Sequence, residues 1–384
     1  MILYKTCLLY KLLLLILLYQ VTIAQPYQSE KSSNCKSSGQ ISGWTNINPK
    51  GELPFRTGGR IIPQLNLETV TENNRTVDFE GSLNAYGTLG IHRIDSSHTT
   101  GTIKPYRLWI RYSTNQLEIR AGLQKINFGS ALLLRPLMWF DQVDARDPLQ
   151  LTDGVWGLLG RYYFLSNHNI WLWVLHGNNK LKGWELLKTN PRYPEIGGRF
   201  QTPIPKGEAA LTYHHRVIKD NSSPSRNISE HRLGFDTRID ILLGLWIEAT
   251  WISKEIKLGQ LTNQTMINTG LDYTFALGNG IYMIAEQLLY SQDKTAFDFS
   301  DAVSFSAMSL SYPVGLFDNL DYLTFFNWTN SKIYNILSWK RQFDKSTVYL
   351  LGYWNPENET LPNRETAHNP YTGKGAQILF VYNY

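Results

Sequence analysis

Arg107, Arg111, Arg120, Arg135, Arg146 and Arg161 share one stretch of the chain with Asp141, Asp144, Asp147 and Asp153. Guanidinium and carboxylate groups in such numbers suit electrostatic work. They can hold one another in a salt-bridge network, or both can face a passing solute and sort it by charge. The residue types offer less for covalent chemistry. The sequence has no His-Glu-x-x-His, no Gly-x-Ser-x-Gly, no Cys-x-x-Cys, no Walker loop and no Gly-x-Gly-x-x-Gly. Of the eight histidines only His214 and His215 adjoin. Adjacent strand residues point to opposite faces, so that pair is not expected to chelate, and no metal or cofactor is expected. A hydrolytic site assembled from several strands stays open at this level.

The elements that must position these charges read as strands. In 77–91 the odd positions carry Val77, Phe79, Leu83, Ala85, Leu89 and Ile91, with mostly polar residues between them. Tyr106, Leu108, Ile110 and Tyr112 alternate with Arg107, Trp109 and Arg111; after a turn at 113–115, Leu117, Ile119, Ala121 and Leu123 oppose Glu118, Arg120 and Gln124. One face of each strand is apolar and the other charged, which is the period-two signature. Similar segments recur at 155–165, 169–178, 207–218, 229–240, 243–256, 264–276, 280–291, 301–312, 319–329, 333–342, 346–354 and 374–384. With the period-two pattern that starts at about Arg60 and the strand that leads into the Pro203–Gly207 turn, about seventeen candidate strands result. No sustained helical periodicity appears, and after Ala24 no unbroken 18-residue apolar span.

Composition narrows the class. Aromatics make up 13% of the 384 residues and charged residues only 18%, yet mean hydropathy is −0.28. A bundle of membrane helices is excluded by that average. A barrel with a polar lumen and aromatic girdles would give it, as would an aromatic carbohydrate-binding β protein. The expectation is an all-β, transmembrane antiparallel barrel of 16–18 strands, even-numbered because single-chain bacterial barrels are.

Residues 1–24 read as an export signal: Lys5 and Lys11, an apolar run from Leu12 to Leu18, then small residues at Thr22 and Ala24. Its removal lowers the formal charge from +5 to +3, which makes no case for nucleic acid. Cys7 leaves with it, and Cys35 alone cannot form an intramolecular disulfide. Polar residues 25–56 read as a flexible periplasmic lead-in or short plug, and 57–384 as the barrel. At the C-terminus Ala376, Ile378, Phe380, Tyr382 and Tyr384 alternate strictly. Phe380, Tyr382 and Tyr384 resemble the terminal signal that the barrel-assembly machinery reads in bacterial outer-membrane proteins.

Residues 125–154 break the hairpin rhythm. A connection of that length between strands suggests a functional loop. It holds apolar Leu132–Leu134 and Met138–Phe140 beside its aspartates, so it could fold into the lumen and narrow it. Arg107, Arg111, Arg120 and Arg161, if lumen-facing, could then meet Asp141, Asp144, Asp147 and Asp153 across a constriction; a purely stabilising network is the alternative. Trp139 with Phe140, and Trp171 with Trp173, suit an interfacial girdle or a sugar-stacking surface, the girdle being the commoner use.

The run Arg120-x-Gly122-x-Gln124, then Ile126-x-Phe128-Gly129, the Pro- and Asp-rich loop and Asp153-Gly154-Val155, resembles a segment of porin-like outer-membrane barrels, including the alginate-export-like and related Bacteroidota families. It covers about 45 residues. The resemblance implies a porin or export pore in the bacterial outer membrane, passing small hydrophilic or anionic solutes by diffusion. Outer-membrane lipid, the assembly machinery and a second copy of the chain are the partners it implies. A barrel enzyme of lipase or protease type, or a plugged receptor barrel, are the other readings.

Overall fold

The computed structural model describes residues 33–51, 53–71, 75–92, 96–177, 180–219, 226–357 and 371–384. The expected signal at 1–24 lies outside them. Eighteen strands of 8 to 18 residues run in order: β1 (Ser33–Ile47), β2 (Phe55–Thr71), β3 (Arg75–His92), β4 (Ser96–Ser113), β5 (Leu117–Gln124), β6 (Val155–Tyr163), β7 (Asn169–His176), β8 (Pro194–Ile204) and β9 (Gly207–Lys219). The second half comprises β10 (Asn227–Asp240), β11 (Gly244–Lys254), β12 (Asn263–Phe275), β13 (Ile281–Asp293), β14 (Val303–Pro313), β15 (Asp318–Asn327), β16 (Lys332–Gln342), β17 (Ser346–Trp354) and β18 (Lys374–Asn383).

Each strand pairs antiparallel with its neighbours, and β1 pairs with both β2 and β18, so the sheet has no edge. Closure satisfies the backbone polar groups that lipid could not. Along every strand one row of side chains faces out. Ile41, Leu65, Leu83, Ile110, Leu158, Leu172, Leu211, Leu233, Ile247, Leu337, Leu350 and Ile378 are all exposed there. An apolar belt of this kind on a closed sheet is the exterior of a transmembrane barrel. Phe380 and Tyr382 belong to that outer row.

The two rims differ. At the rim where β1 begins and β18 ends, the strands are joined by turns of two to five residues. At the opposite rim the strands end and begin on either side of the long connections 125–154, 177–193 and 355–373. We call these the turn rim and the loop rim.

The polar segment expected as a flexible lead-in is, from Ser33 to Ile47, strand β1. Its outward positions include Gly39, Gly43 and Thr45, so its alternation is faint in sequence. What fixes it is pairing: Gln40–Ile47 lie opposite Ala376–Asn383, and Ser33–Ile47 opposite Phe55–Thr69. With it the closed sheet has eighteen strands.

Candidate constriction site in the lumen

The 125–154 connection enters the barrel and crosses it. Its first part is an aromatic wedge. Phe128 stacks on Trp173 with ring centroids 5.9 Å apart, and meets Trp139 and Phe140 edge-on at 5.7 and 5.8 Å. Val155, Leu159 and Leu175 complete this buried cluster against β6 and β7. Trp171 and Trp173 therefore point inward and pack on the loop. They form neither a lipid-facing girdle nor an open sugar slide, because Trp139, Phe140 and Trp173 are all nearly inaccessible. The Trp173 indole N–H donates to His214 Nδ1 at 3.2 Å, and His214 Nε2 lies 3.1 Å from Glu195.

Beyond the wedge the chain reaches the far wall, where two carboxylates receive its backbone. Glu248 on β11 accepts from Ala131 N–H at 2.9 Å and Leu137 N–H at 2.5 Å. Glu286 on β13 accepts from Leu132 and Leu133 at 2.6 and 3.1 Å, and from Leu134 at 2.6 Å. Asn268 ties the same place together, donating to Glu286 at 3.0 Å and to the Leu134 carbonyl at 3.1 Å. A non-helical segment buried in a barrel needs such acceptors, since unpaired buried N–H groups are costly. Leu134 then joins Ile252, Met266, Leu288, Phe305, Leu323 and Phe325, an apolar inner surface on β11–β15.

Glycines make room for this path. Gly129 has φ +100°, and a Cβ there would sit 2.4 Å from the Glu248 carboxylate. On the wall, a Cβ at Gly234 would come within 2.4 Å of Leu137. The 177–193 connection buttresses the loop from the loop rim. Trp184 donates to the Arg135 carbonyl at 2.7 Å, and Gln264 donates to the Trp184 carbonyl at 3.1 Å. Glu185 from the same connection joins Arg216, Arg232 and Glu230 in a fully buried ion network, with contacts of 2.6 to 2.9 Å.

The charged residues singled out in the sequence fall into two groups. On the wall, Arg111 binds Asp78 at 2.7 Å, while Arg120 and Arg161 share Glu118 at 2.9 and 3.5 Å. Arg120 lies over Trp109 and Arg161 over Trp171, with guanidinium-to-ring distances of 4.7 and 3.9 Å. Within the loop, Arg135 binds Asp141 at 3.1 Å and Arg146 binds Asp144 at 2.9 Å. Asp153 pairs with Lys104 at 2.5 Å, and Asp147 accepts from Leu149 N–H at 3.0 Å. Burial pushes the Asp147 carboxyl up and the Lys125 ammonium down from their ordinary values. Of the two arrangements the sequence allowed, opposed rings or a salt-bridge network, the pairings seen among the described residues are those of a network. Arg111, Arg120 and Arg161 have wall carboxylates, and Arg107 donates to the Thr152 carbonyl of the loop at 3.1 Å.

Several residues that build the site were not singled out in the sequence. Glu248 and Glu286 look there like ordinary lumen charges, more than a hundred residues from the backbone they hold. Arg60, between the rings of Trp44 and Tyr86 at 5.6 and 5.1 Å, extends the arginine surface onto β2. Its signal was the period-two pattern, which puts Arg56 and Arg60 on the inner row with Arg111 and Arg120.

Solved structures share this architecture. OccAB1 of Acinetobacter baumannii matches at a TM-score of 0.55 and 9% identity, over 94% of this chain and 99% of that one. OpdQ of Pseudomonas aeruginosa matches at 0.54 and 11%, over 92% and 98%. The outer membrane channel DcaP of A. baumannii matches at 0.50 and 10%, over 94% and 100%. This chain has the closed, antiparallel β-barrel fold of those channels. At such identities the likeness is one of fold. No protein-family model and no curated protein matches the sequence.

Proposed function

We propose that the protein is a bacterial outer-membrane channel through which small hydrophilic or anionic solutes diffuse passively, and that the 125–154 loop sets its narrowest section. One observation carries the reading. The loop is tied across the lumen to Glu248 and Glu286, which leaves the β2–β6 wall facing the remaining space. On that wall Arg56, Arg60, Lys104, Arg111, Arg120 and Arg161 keep partial exposure. They outnumber the inward carboxylates Glu68, Asp78, Glu80 and Glu118. A surplus of fixed positive charge in a narrow, low-dielectric passage concentrates anions.

Residues 1–24 as an export signal and the outward-facing Phe380, Tyr382 and Tyr384 as an assembly signal fit the same placement. The 120–163 resemblance supports kinship with the alginate-export-like and related Bacteroidota barrels. Reversal potentials across planar bilayers in a KCl gradient test the selectivity. The expected sign is anion preference, reduced in Arg120→Gln. Cation preference in the unsubstituted protein would overturn the assignment.

A further inference from the structure

The outer wall is not evenly filled. Across β6–β12 it carries a depression of about 1060 Å³. Leu172, Phe200, Leu233 and Trp251 stand at its sides, and Gly160 and Ala249 keep its floor low. A Cβ on Gly160 would meet nothing within 4 Å. The 294–302 connection closes one side by folding onto the wall. Asn263 Nδ2 donates to the Lys294 carbonyl at 3.0 Å, and Phe297 packs on Trp251 with ring centroids 5.4 Å apart. Phe297 has φ +61° and stays exposed. A strained backbone and an open apolar ring are thus both kept at the edge of the depression.

Polarity changes along the same strands toward the loop rim. One row beyond Tyr213 and Leu233 come His215 and His231, directly opposite each other, with Tyr213 Oη 2.8 Å from His231 Nδ1. Lys219 stands four residues beyond His215, about 13 Å further along the strand. Thr189 bridges to the inward-facing Ile218, which sets Lys188 opposite Lys219 on the outward side. The Lys219 N–H donates to the Lys188 carbonyl at 3.1 Å. Like charges directly opposite one another in an antiparallel pairing are destabilising. Among the described residues neither ammonium has a carboxylate partner. Arg192 and Lys257 are exposed at the same rim. Glu255 is the exposed carboxylate among them. Asp293 and Asp298 are turned onto their own connection, accepting from the N–H groups of Thr295 and Ser300. Opposed lysines above an apolar depression call for a ligand that is anionic at one end and apolar at the other.

We infer that this wall holds one lipid, whose phosphorylated headgroup bridges Lys188 and Lys219 while its acyl chains fill the depression. The spacing fits. Tyr213 to Lys219 is about 20 Å along the strand, or about 15 Å in height at a strand tilt of about 40°. Lysine stems reach part of that way back. Tyr213, His215 and His231 lie between, where the ester and hydroxyl groups of such a lipid need hydrogen-bond partners. Bulk lipid meets the apolar belt anywhere, whereas this one is held by two ammonium groups as well as by shape.

Native mass spectrometry of the refolded full-length barrel in neutral detergent tests this. Dioleoyl phosphatidic acid and dioleoyl phosphatidylcholine are the probes, identical in their chains. One phosphatidic acid per chain should be retained, at least about tenfold more tightly than phosphatidylcholine. Lys188→Gln with Lys219→Gln should remove that preference, and Gly160→Leu should weaken retention of both lipids by filling the floor. Heat-modifiable migration should stay intact in both variants, because neither touches the barrel interior. Inorganic phosphate should displace neither lipid. Equal retention of the two lipids by the unsubstituted protein, or a preference unchanged in the double lysine variant, would overturn the inference. So would retention unchanged in Gly160→Leu, or displacement by inorganic phosphate.

Discussion

Replacing Glu286 by Gln should loosen the constriction loop. Its carboxylate accepts three backbone N–H groups and the Asn268 amide. A glutamine retains one acceptor oxygen, enough for Leu132 and Leu133. Its NH₂ then faces two donors, Leu134 N–H and Asn268 Nδ2, so two hydrogen bonds are lost. Bonds to charged groups contribute about 1.5–3 kcal/mol each, which makes about 3 kcal/mol a low figure for the loss. That shifts the ratio of docked to undocked loop on the order of a hundredfold. Burial of Leu134, at about 2 kcal/mol, and the two bonds to Glu248 are unchanged by the substitution and still favour the docked loop. Single-channel recording in planar bilayers reads the outcome. Glu286→Gln should raise conductance or add noisy sublevels, and Glu248→Gln with Glu286→Gln should do so more strongly. Conductance and noise identical to the unsubstituted protein, in a variant with normal heat-modifiable migration, would refute the idea that these carboxylates hold the loop.

Other expectations follow from single contacts. Glu118→Gln removes the carboxylate shared by Arg120 and Arg161, so the reversal potential should move toward stronger anion preference. Gly129→Ala places a Cβ against Glu248 at a positive φ; a loss of about 2 kcal/mol should appear as a lower urea midpoint of loop-sensitive tryptophan fluorescence. Deleting 33–47 removes the strand that joins β2 to β18. It should abolish heat-modifiable compact migration in detergent, whereas loss of a flexible lead-in would leave that migration unchanged.

The strands were legible wherever lipid and water impose opposite demands on alternate residues. Leu108, Ile110 and Tyr112 against Arg107, Trp109 and Arg111 is one such place. Strand β1 was not legible, and in some strands that were, the face that meets lipid was not. In β1 the outward row carries Gly39, Gly43 and Thr45, which meet lipid without a large apolar side chain. In β7 both rows are apolar, because the inward Trp171 and Trp173 pack on the loop rather than facing water. The same holds for β14–β16, where Phe305, Leu323, Phe325 and Ile336 line the interior. The long loop was visible from its length. Its anchors were not, because a glutamate that accepts backbone N–H groups looks in sequence like any other lumen carboxylate. The aspartates were visible too, but their partners were not: short-range pairing, as in Arg146 with Asp144, competes with pairing across the lumen and prevails here.

The central claim is that this barrel conducts and that the 125–154 loop narrows it. Single-channel conductance of the purified protein and of a form lacking 130–150, side by side in planar bilayers, tests it most directly. Discrete steps from the intact protein, and larger ones from the shortened form, are predicted. Silence from both, with each shown by heat-modifiable migration to be a folded barrel, would contradict it.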